Sequence, residues 1–242
     1  MKLYLYCLAE GHFELQDDVS GLDNAKIEIL EKGNLSVFFS RFDEAVVPVS
    51  RQNVVQHEKV VRNVFSIATV LPFRFGALVT EADLDSYLQS RQHALLQRLA
   101  MVRDCVEMSV KIIWQNSSNS ELTEPATEND AELGVGTTFL RQKRQELLGS
   151  ERLDADAREL AAWLRRELAP VVSQEQITLE PKQRLVVAAS YLVEKRHVPD
   201  YRRELARLQA QRQELHFLTS GPWPPYTFAN VDLEFETHFG VI

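Results

Sequence analysis

Cysteine, long apolar runs and excess positive charge are scarce or missing in this sequence of 242 residues. The two cysteines, Cys7 and Cys105, lie in apolar stretches, which is typical of reduced, buried thiols in a cytosolic protein. No apolar run approaches the roughly 18 to 20 residues of a spanning helix. Acidic residues outnumber basic ones 35 to 27, and the formal net charge is -8. These features argue against a disulfide framework, a membrane span and nucleic-acid binding.

Motifs for catalysis or for metal and cofactor binding are also missing. The pair His57 and Glu58 resembles the start of a zinc-protease helix, but Val61 occupies the position of the second histidine. The six histidines include no pair at ligand spacing. Gly134-Val-Gly136 lacks the rest of a phosphate-binding loop, and there is no G-x-S-x-G. We therefore expect no catalytic residue, metal or cofactor.

The fold class predicted from the pattern is α+β, with a first domain over residues 1–104. Apolar and aromatic residues on both faces of 1–9 predict a buried, central strand. Two β-rich runs joined by Gly33 and Asn34 predict a hairpin over 26–40. Apolar residues at helical spacing predict a helix over 50–68, and a second helix follows Thr80 as N-cap.

The second predicted domain covers residues 105–242 and has the element order β-α-β-β-α-β of a ferredoxin-like fold. A polar stretch over 115–130 predicts an exposed, removable insertion, and a C-terminal extension follows the last strand. The predicted strands are 106–114, 176–180, 185–193 and 215–219, and the predicted helices are 138–169 and 201–213.

The segment Val70–Val79 places a cation inside an apolar run. Pro72 ends the preceding helical pattern, and a strand interpretation sets Phe73 and Phe75 on one face and Arg74 on the other. A buried guanidinium needs a planar carboxylate acceptor, and Glu58 on the preceding helix is the favoured one. We therefore expect Glu58 and Arg74 to form a buried structural ion pair.

A second aromatic segment, Gly221–Ala229, is called the strap below. It carries Trp223, Tyr226 and Phe228 among three prolines that favour extended geometry. One interpretation packs the three rings back on the ferredoxin-like sheet as a cover. The other presents them as anchors for an apolar partner. The sequence leaves both open, and different rings can take different roles.

Four segments together resemble the gas vesicle protein F/L family. They are Gln56–Val61, Val70–Val79, Met108–Trp114 and the strap, and in this order they span nearly the whole chain. The resemblance implies two α+β domains with a ferredoxin-like second one. It also implies a non-enzymatic accessory and minor structural protein of gas vesicles, located at the vesicle and in the cytoplasm.

The functional hypothesis combines this resemblance with the missing catalytic motifs. The main shell protein is small and strongly apolar, so its free form exposes surfaces that aggregate. An acidic partner that covers such a surface would limit aggregation and assist nucleation or assembly. The expected partners are the shell protein and other accessory proteins, and the candidate contact residues are Phe73, Phe75, Trp223, Tyr226 and Phe228. The rival hypotheses are a small-molecule-binding regulatory module and an enzyme on the ferredoxin-like domain.

Overall fold

The computed structural model of the chain describes residues 2–14, 19–114, 154–182, 185–229 and 231. They form two compact units. The first contains Met1–Glu107 together with Pro222–Ile242, and the second contains Met108–Gly221. The boundary lies after Glu107, three residues later than predicted. The chain also returns to the first unit at Pro222, so the C-terminal extension predicted for the second domain belongs to the first unit. The predicted insertion over 115–130 lies outside the described residues.

The sheet of the first unit is built around its first strand. The strands are β1 (Lys2–Glu10), β2 (Ile27–Lys32), β3 (Leu35–Phe42), β4 (Val70–Pro72) and β5 (Leu78–Val79). Their order is β2-β3-β1-β4, and β5 also pairs with β1. β1 has neighbours on both edges, and its residues from Leu3 to Ala9 are all buried. The predicted central strand is confirmed.

Local sequence signals fix the hairpin and the two helices of the first unit. Gly33 adopts a φ of 60° in the turn between β2 and β3, a conformation that glycine tolerates without strain. Helix α1 (Arg51–Ile67) begins after Ser50, whose side chain accepts a hydrogen bond from the Asn53 backbone N–H at 3.1 Å. Helix α2 (Glu81–Met101) begins after Thr80, which accepts from the Asp83 N–H at 3.1 Å. The predicted hairpin and N-cap are confirmed.

The described elements of the second unit follow the order β-α-β-β-α-β. They are β6 (Cys105–Trp114), helix α3 over 154–168, β7 (Gln174–Lys182), β8 (Leu185–Glu194), α4 (Val198–Gln211) and β9 (Leu215–Trp223). The strand order is β7-β8-β6-β9, and β7 pairs with β8 antiparallel. The chain is thus α+β with two sheets.

Apolar helix faces cover the second sheet. Helix α3 buries Leu160, Leu164 and Leu168, and α4 buries Leu205 and Leu208. These positions recur every three or four residues, so each helix presents one apolar stripe. The described residues also include three short 3-10 helices, which are Leu22–Asn24, Ala169–Val171 and Lys195–His197.

Candidate functional site

The predicted buried ion pair between Glu58 and Arg74 is wrong. Arg74 is exposed, and Glu58 instead accepts hydrogen bonds from Arg62, with a closest N–O distance of 2.6 Å. Glu58 and Arg62 are four residues apart on α1, so they meet on one face of the helix at little entropic cost. The local partner therefore replaces the distant one.

A turn explains why Arg74 faces solvent. The single strand predicted over 70–79 is two short strands, β4 and β5, joined by a turn in which the Ala77 N–H donates to the Arg74 carbonyl at 3.2 Å. Gly76 has a φ of 90°, which a residue with a Cβ rarely adopts. Phe73 is fully buried and Phe75 packs partly against the core, so the turn separates both rings from the cation.

Buried beneath this turn is a histidine that the sequence interpretation left without a role. His57 on α1 is 3% exposed, and its Nδ1 lies 2.7 Å from the hydroxyl of Tyr4 on β1. Its Nε2 lies 3.2 Å from the Phe73 carbonyl oxygen. A carbonyl only accepts, so Nε2 carries the proton and Nδ1 accepts from the Tyr4 O–H. The Gly76 N–H donates in turn to the Tyr4 oxygen at 3.4 Å.

This hydrogen-bonded chain ties α1, β1 and the turn together. Burial lowers the pKa of His57 to about 4, because a charged imidazolium is poorly solvated there. Burial also raises the pKa of the Tyr4 hydroxyl. Both side chains are neutral at pH 7, and both ring nitrogens of His57 are engaged. The arrangement therefore positions the backbone of residues 73–76 and offers no free base or metal ligand.

A similar contact holds the loop before β2. The Tyr6 hydroxyl lies 3.0 Å from the Ser40 hydroxyl and accepts a hydrogen bond from the Leu22 N–H at 2.9 Å. The rings of Tyr4 and Tyr6 meet edge to face with centroids 5.0 Å apart. Tyr4 on β1 thus positions the turn at residues 73–76, and Tyr6 on the same strand positions the loop before β2.

The strap binds the first unit through a buried carboxylate. Glu107 on β6 is 5% exposed. Its two oxygens accept from Thr227, one from the backbone N–H at 2.7 Å and the other from the side-chain hydroxyl at 2.6 Å. Thr227 lies in a short helix, α5 (Tyr226–Ala229), which contacts β4. Thr227 of the strap therefore supplies a hydrogen-bond donor to each carboxylate oxygen of Glu107.

The three rings of the strap are also placed in the first unit. The Arg62 guanidinium carbon lies 5.0 Å from the centroid of the Trp223 ring, within the range of a cation–π contact. Tyr226 packs against the core cluster that includes Tyr6, Cys7 and Val61, and burial raises its pKa. Phe228 is buried. The interpretation that packed the rings on the second domain's sheet is corrected, because this part of the chain belongs to the first unit.

The valine segment is an exposed apolar stretch that sequence reasoning missed. It comprises Val46, Val49, Val54 and Val55 at the start of α1, and Val49 is 78% exposed. Val54 and Val55 belong to the apolar pattern that predicts this helix, yet both face solvent. The buried stripe of α1 consists of His57, Val60, Val61 and Val64. Counting the polar His57 as an inward residue would have shifted the stripe and exposed the two valines.

The described residues also bear on membrane insertion and metal binding. Within those ranges, no helix is long and apolar enough to cross a membrane. The same part of the chain contains no group of three or more His, Cys, Asp or Glu side chains that could hold a metal ion.

The fold and the site together define a two-unit α+β protein whose C-terminal strap returns to the first unit. A model of the family described as gas vesicle synthesis protein GvpL/GvpF matches residues 2–230. The chain belongs to this family, and it has an accessory role in gas vesicles.

Similar proteins cover almost the full length of the chain. Gas vesicle protein F of Streptomyces sp. (strain CB03234) is 27% identical over 94% of this chain and 99% of its own. Gas vesicle protein L2 of Halobacterium salinarum is 23% identical over 93% of this chain and 90% of its own. The crystal structure of GvpF from Anabaena sp. PCC7120 matches with a TM-score of 0.76 and 20% identity, covering 96% of this chain and 97% of that one. That likeness confirms the fold.

Proposed function

We propose that the protein binds the main gas vesicle shell protein, limits its aggregation and assists nucleation or assembly of the vesicle. The observation that carries the proposal is the valine segment at the start of α1. Val46, Val49, Val54 and Val55 expose four apolar side chains within ten residues of the first unit. An apolar segment of the shell protein that packs there would remove both surfaces from water.

The predicted contact residues contribute unequally to this proposal. Phe73 and Phe228 are buried, so a partner could reach them only by unfolding the first unit. Phe75, Trp223 and Tyr226 are half-buried and remain proposed contacts. The main apolar contact moves to the valine segment, because its side chains are already accessible.

The proposal gives the protein a binding role without catalysis, at the gas vesicle and with other accessory proteins as further partners. We also propose a ferredoxin-like topology for the second unit. Its element order and its strand order β7-β8-β6-β9 support that assignment. The proposed apolar contact thus belongs to the first unit, and the proposed ferredoxin-like sheet belongs to the second.

The test compares two exposed apolar residues at opposite ends of α1. Val49 precedes the helix, and Ile67, which is 70% exposed, ends it. Each is replaced by Asp in the full chain, which is co-expressed with the shell protein. Val49→Asp should lower affinity in a pull-down about tenfold or more, because an aspartate would be buried against an apolar partner.

The shell protein should then shift from the supernatant to the pellet with Val49→Asp and stay in the supernatant with Ile67→Asp. The two variants carry the same added charge, so net charge cannot explain a difference between them. Equal binding by the wild type and Val49→Asp would refute the valine segment as the contact. Failure of the wild-type chain to bind would refute the proposed partner.

A further inference from the structure

Two cations flank the valine segment on α1. Arg51, Val55 and Lys59 follow one another at intervals of four residues, and all three side chains are exposed. Residues spaced in this way are neighbours on one face of a helix, so the two charges lie on either side of the valine along the helix. The exposed face of α1 thus combines an apolar side chain with two positive charges.

A third cation lies on the turn after β4, and this turn packs on the same helix. Arg74 in the turn is exposed. The Phe73 carbonyl oxygen lies 3.2 Å from Nε2 of His57, and the centroid of the Phe75 ring lies 5.9 Å from that of the His57 ring. Val54 precedes His57 by three residues on α1, so it lies beside the place where the turn packs.

These three cations have no carboxylate partner among the described residues. The side chains of Arg51, Lys59 and Arg74 form neither an ion pair nor a hydrogen bond with that part of the chain. Other cations of the first unit do form ion pairs, and these pairs are Lys32–Asp85, Arg41–Glu28, Arg62–Glu58 and Arg103–Glu10. The chain has 35 acidic residues against 27 basic ones, so carboxylates are plentiful. The positive charge beside the valine segment is therefore available to a partner.

Helix stability does not explain the position of Arg51. It is the first residue of α1, where the unpaired backbone N–H groups make a cation unfavourable. The first turn of α1 contains no acidic residue, whereas α2 has Glu81 and Asp83 in its first turn and α4 has Asp200. Arg51 therefore weakens the helix that it begins, and a role in binding accounts for its charge.

The charge changes sign along the valine segment. Asp43 and Glu44 are exposed and precede Val46, whereas the first charged residue after Val49 is Arg51. Opposite charges at the two ends of an apolar surface fix the register of a partner. The surface therefore favours one orientation of a bound segment.

We propose that the valine segment and the three cations bind a segment of the shell protein in which carboxylates flank apolar side chains. The apolar side chains pack on Val54 and Val55, and the carboxylates pair with Arg51, Lys59 and Arg74. This inference rests on the proposed function, and it adds the chemistry of the bound segment.

The test reverses the two charges on α1 in the full chain. Arg51→Glu combined with Lys59→Glu should lower the affinity for the shell protein about tenfold or more in a pull-down, because like charges then meet in the complex. The control combines Lys111→Glu on β6 with Arg202→Glu on α4, two exposed cations of the second unit that also lack an ion pair among the described residues. It makes the same change in net charge and should bind as the wild type does.

A reciprocal reversal identifies the groups on the partner. Each carboxylate of the shell protein is changed to lysine in turn, and at least one variant should restore binding to the chain with reversed charges severalfold. A structural defect in that chain would not be rescued in this way. Wild-type affinity in the reversed chain, or no rescue by any lysine variant, would overturn the inference. The proposed function would still stand if the wild type binds and Val49→Asp does not, whereas a wild type that fails to bind refutes both.

Arg51→Glu alone separates binding from folding. A glutamate at the start of α1 is favoured by the helix dipole, so the melting midpoint should rise by about 1 to 3 °C. The affinity for the shell protein should fall severalfold in the same variant. A lower midpoint together with weaker binding would give Arg51 a structural role and would contradict the inference.

Discussion

The two units differ in the hydrogen bonding of their buried polar side chains. Among the residues whose burial is described, all the buried polar or charged side chains outside the tyrosines belong to the first unit, and they are Ser36, Ser40, His57 and Glu107. Each forms a hydrogen bond with a partner in the same unit. Directional contacts of this kind specify one arrangement of a loop or strap.

The second unit relies on apolar packing and surface charge. Among the described residues there, the buried hydroxyls of Tyr191 and Tyr201 have no hydrogen-bond partner, and their rings lie 5.9 Å apart. Charged side chains pair at the surface, as Arg207 does with Glu167 at 2.8 Å. Polar contacts thus position the first unit's turn and strap, whereas the described core of the second unit is apolar apart from its tyrosine hydroxyls.

The largest effect expected from this comparison is at His57. His57→Ala should lower the free energy of unfolding by about 4 kcal/mol, because it leaves a cavity and removes the partner of the Tyr4 hydroxyl and the Phe73 carbonyl. Urea unfolding followed by circular dichroism measures it. His93→Ala, at an exposed position of α2, is the control and should have little effect. Equal losses in the two variants would show that the buried contacts are not what stabilises the first unit.

Acid should weaken the first unit through the same histidine. The pKa of His57 falls from 6.5 to about 4 on folding, so the unfolded chain binds the proton more tightly. The contribution of neutral His57 to the free energy of unfolding is then fully present above pH 6.5. It is lost as the pH falls through 4, and the loss is about 3 kcal/mol in total.

Unfolding free energies measured from pH 7 to pH 4 in the wild type and in His57→Gln test this pH dependence. The variant lacks the titrating group, so its curve should be flatter by that amount. Parallel curves for the two proteins would mean that His57 does not titrate differently in the folded and unfolded states.

A matched pair of substitutions sharpens the comparison between units. Tyr4→Phe removes the donor to His57 and should cost about 1 to 3 kcal/mol, since a buried nitrogen loses its partner. Tyr201→Phe removes a hydroxyl that has no partner among the described residues and should be neutral or slightly stabilising. Thermal melting of both variants measures the difference. A larger loss for Tyr201→Phe would reverse the comparison.

The smallest expected effect is at the surface of the second unit. Hydrogen bonds from Arg207 and Arg166 lower the pKa of Glu167, but both arginines are exposed and solvent screens the pairs. Glu167→Gln should leave the urea midpoint unchanged within error in both low and high salt. A clear drop that disappears in high salt would assign surface charge a larger role than this account gives it.

Much of the fold could be predicted because its signals are local. The apolar run of β1, the Gly33 turn and the Thr80 cap each act within a few residues, and all three are confirmed. The Glu58–Arg62 ion pair could also have been predicted, because Arg62 lies four residues after Glu58 on the same helix. The Gly76 turn was harder to see, and it is what directs Arg74 to solvent.

The position of the strap could not be predicted because it depends on contacts between distant segments. Thr227 meets Glu107 across 120 residues, and no local pattern selects that pairing. One signal was available: Glu107 interrupts the apolar run of β6, so a buried carboxylate there required donors from elsewhere. The exposure of Val54 and Val55 likewise followed from a polar residue, His57, that takes an inward position on α1.

The most direct test of the proposal that the first unit binds the shell protein in vesicle assembly is complementation in cells. The gene is deleted from a gas vesicle cluster and returned as wild type, Val49→Asp or Ile67→Asp, and vesicles are counted by electron microscopy at equal protein levels. The account predicts vesicles with the wild type and Ile67→Asp, and few or none with Val49→Asp. Normal vesicle numbers with Val49→Asp, or with the deletion itself, would contradict it.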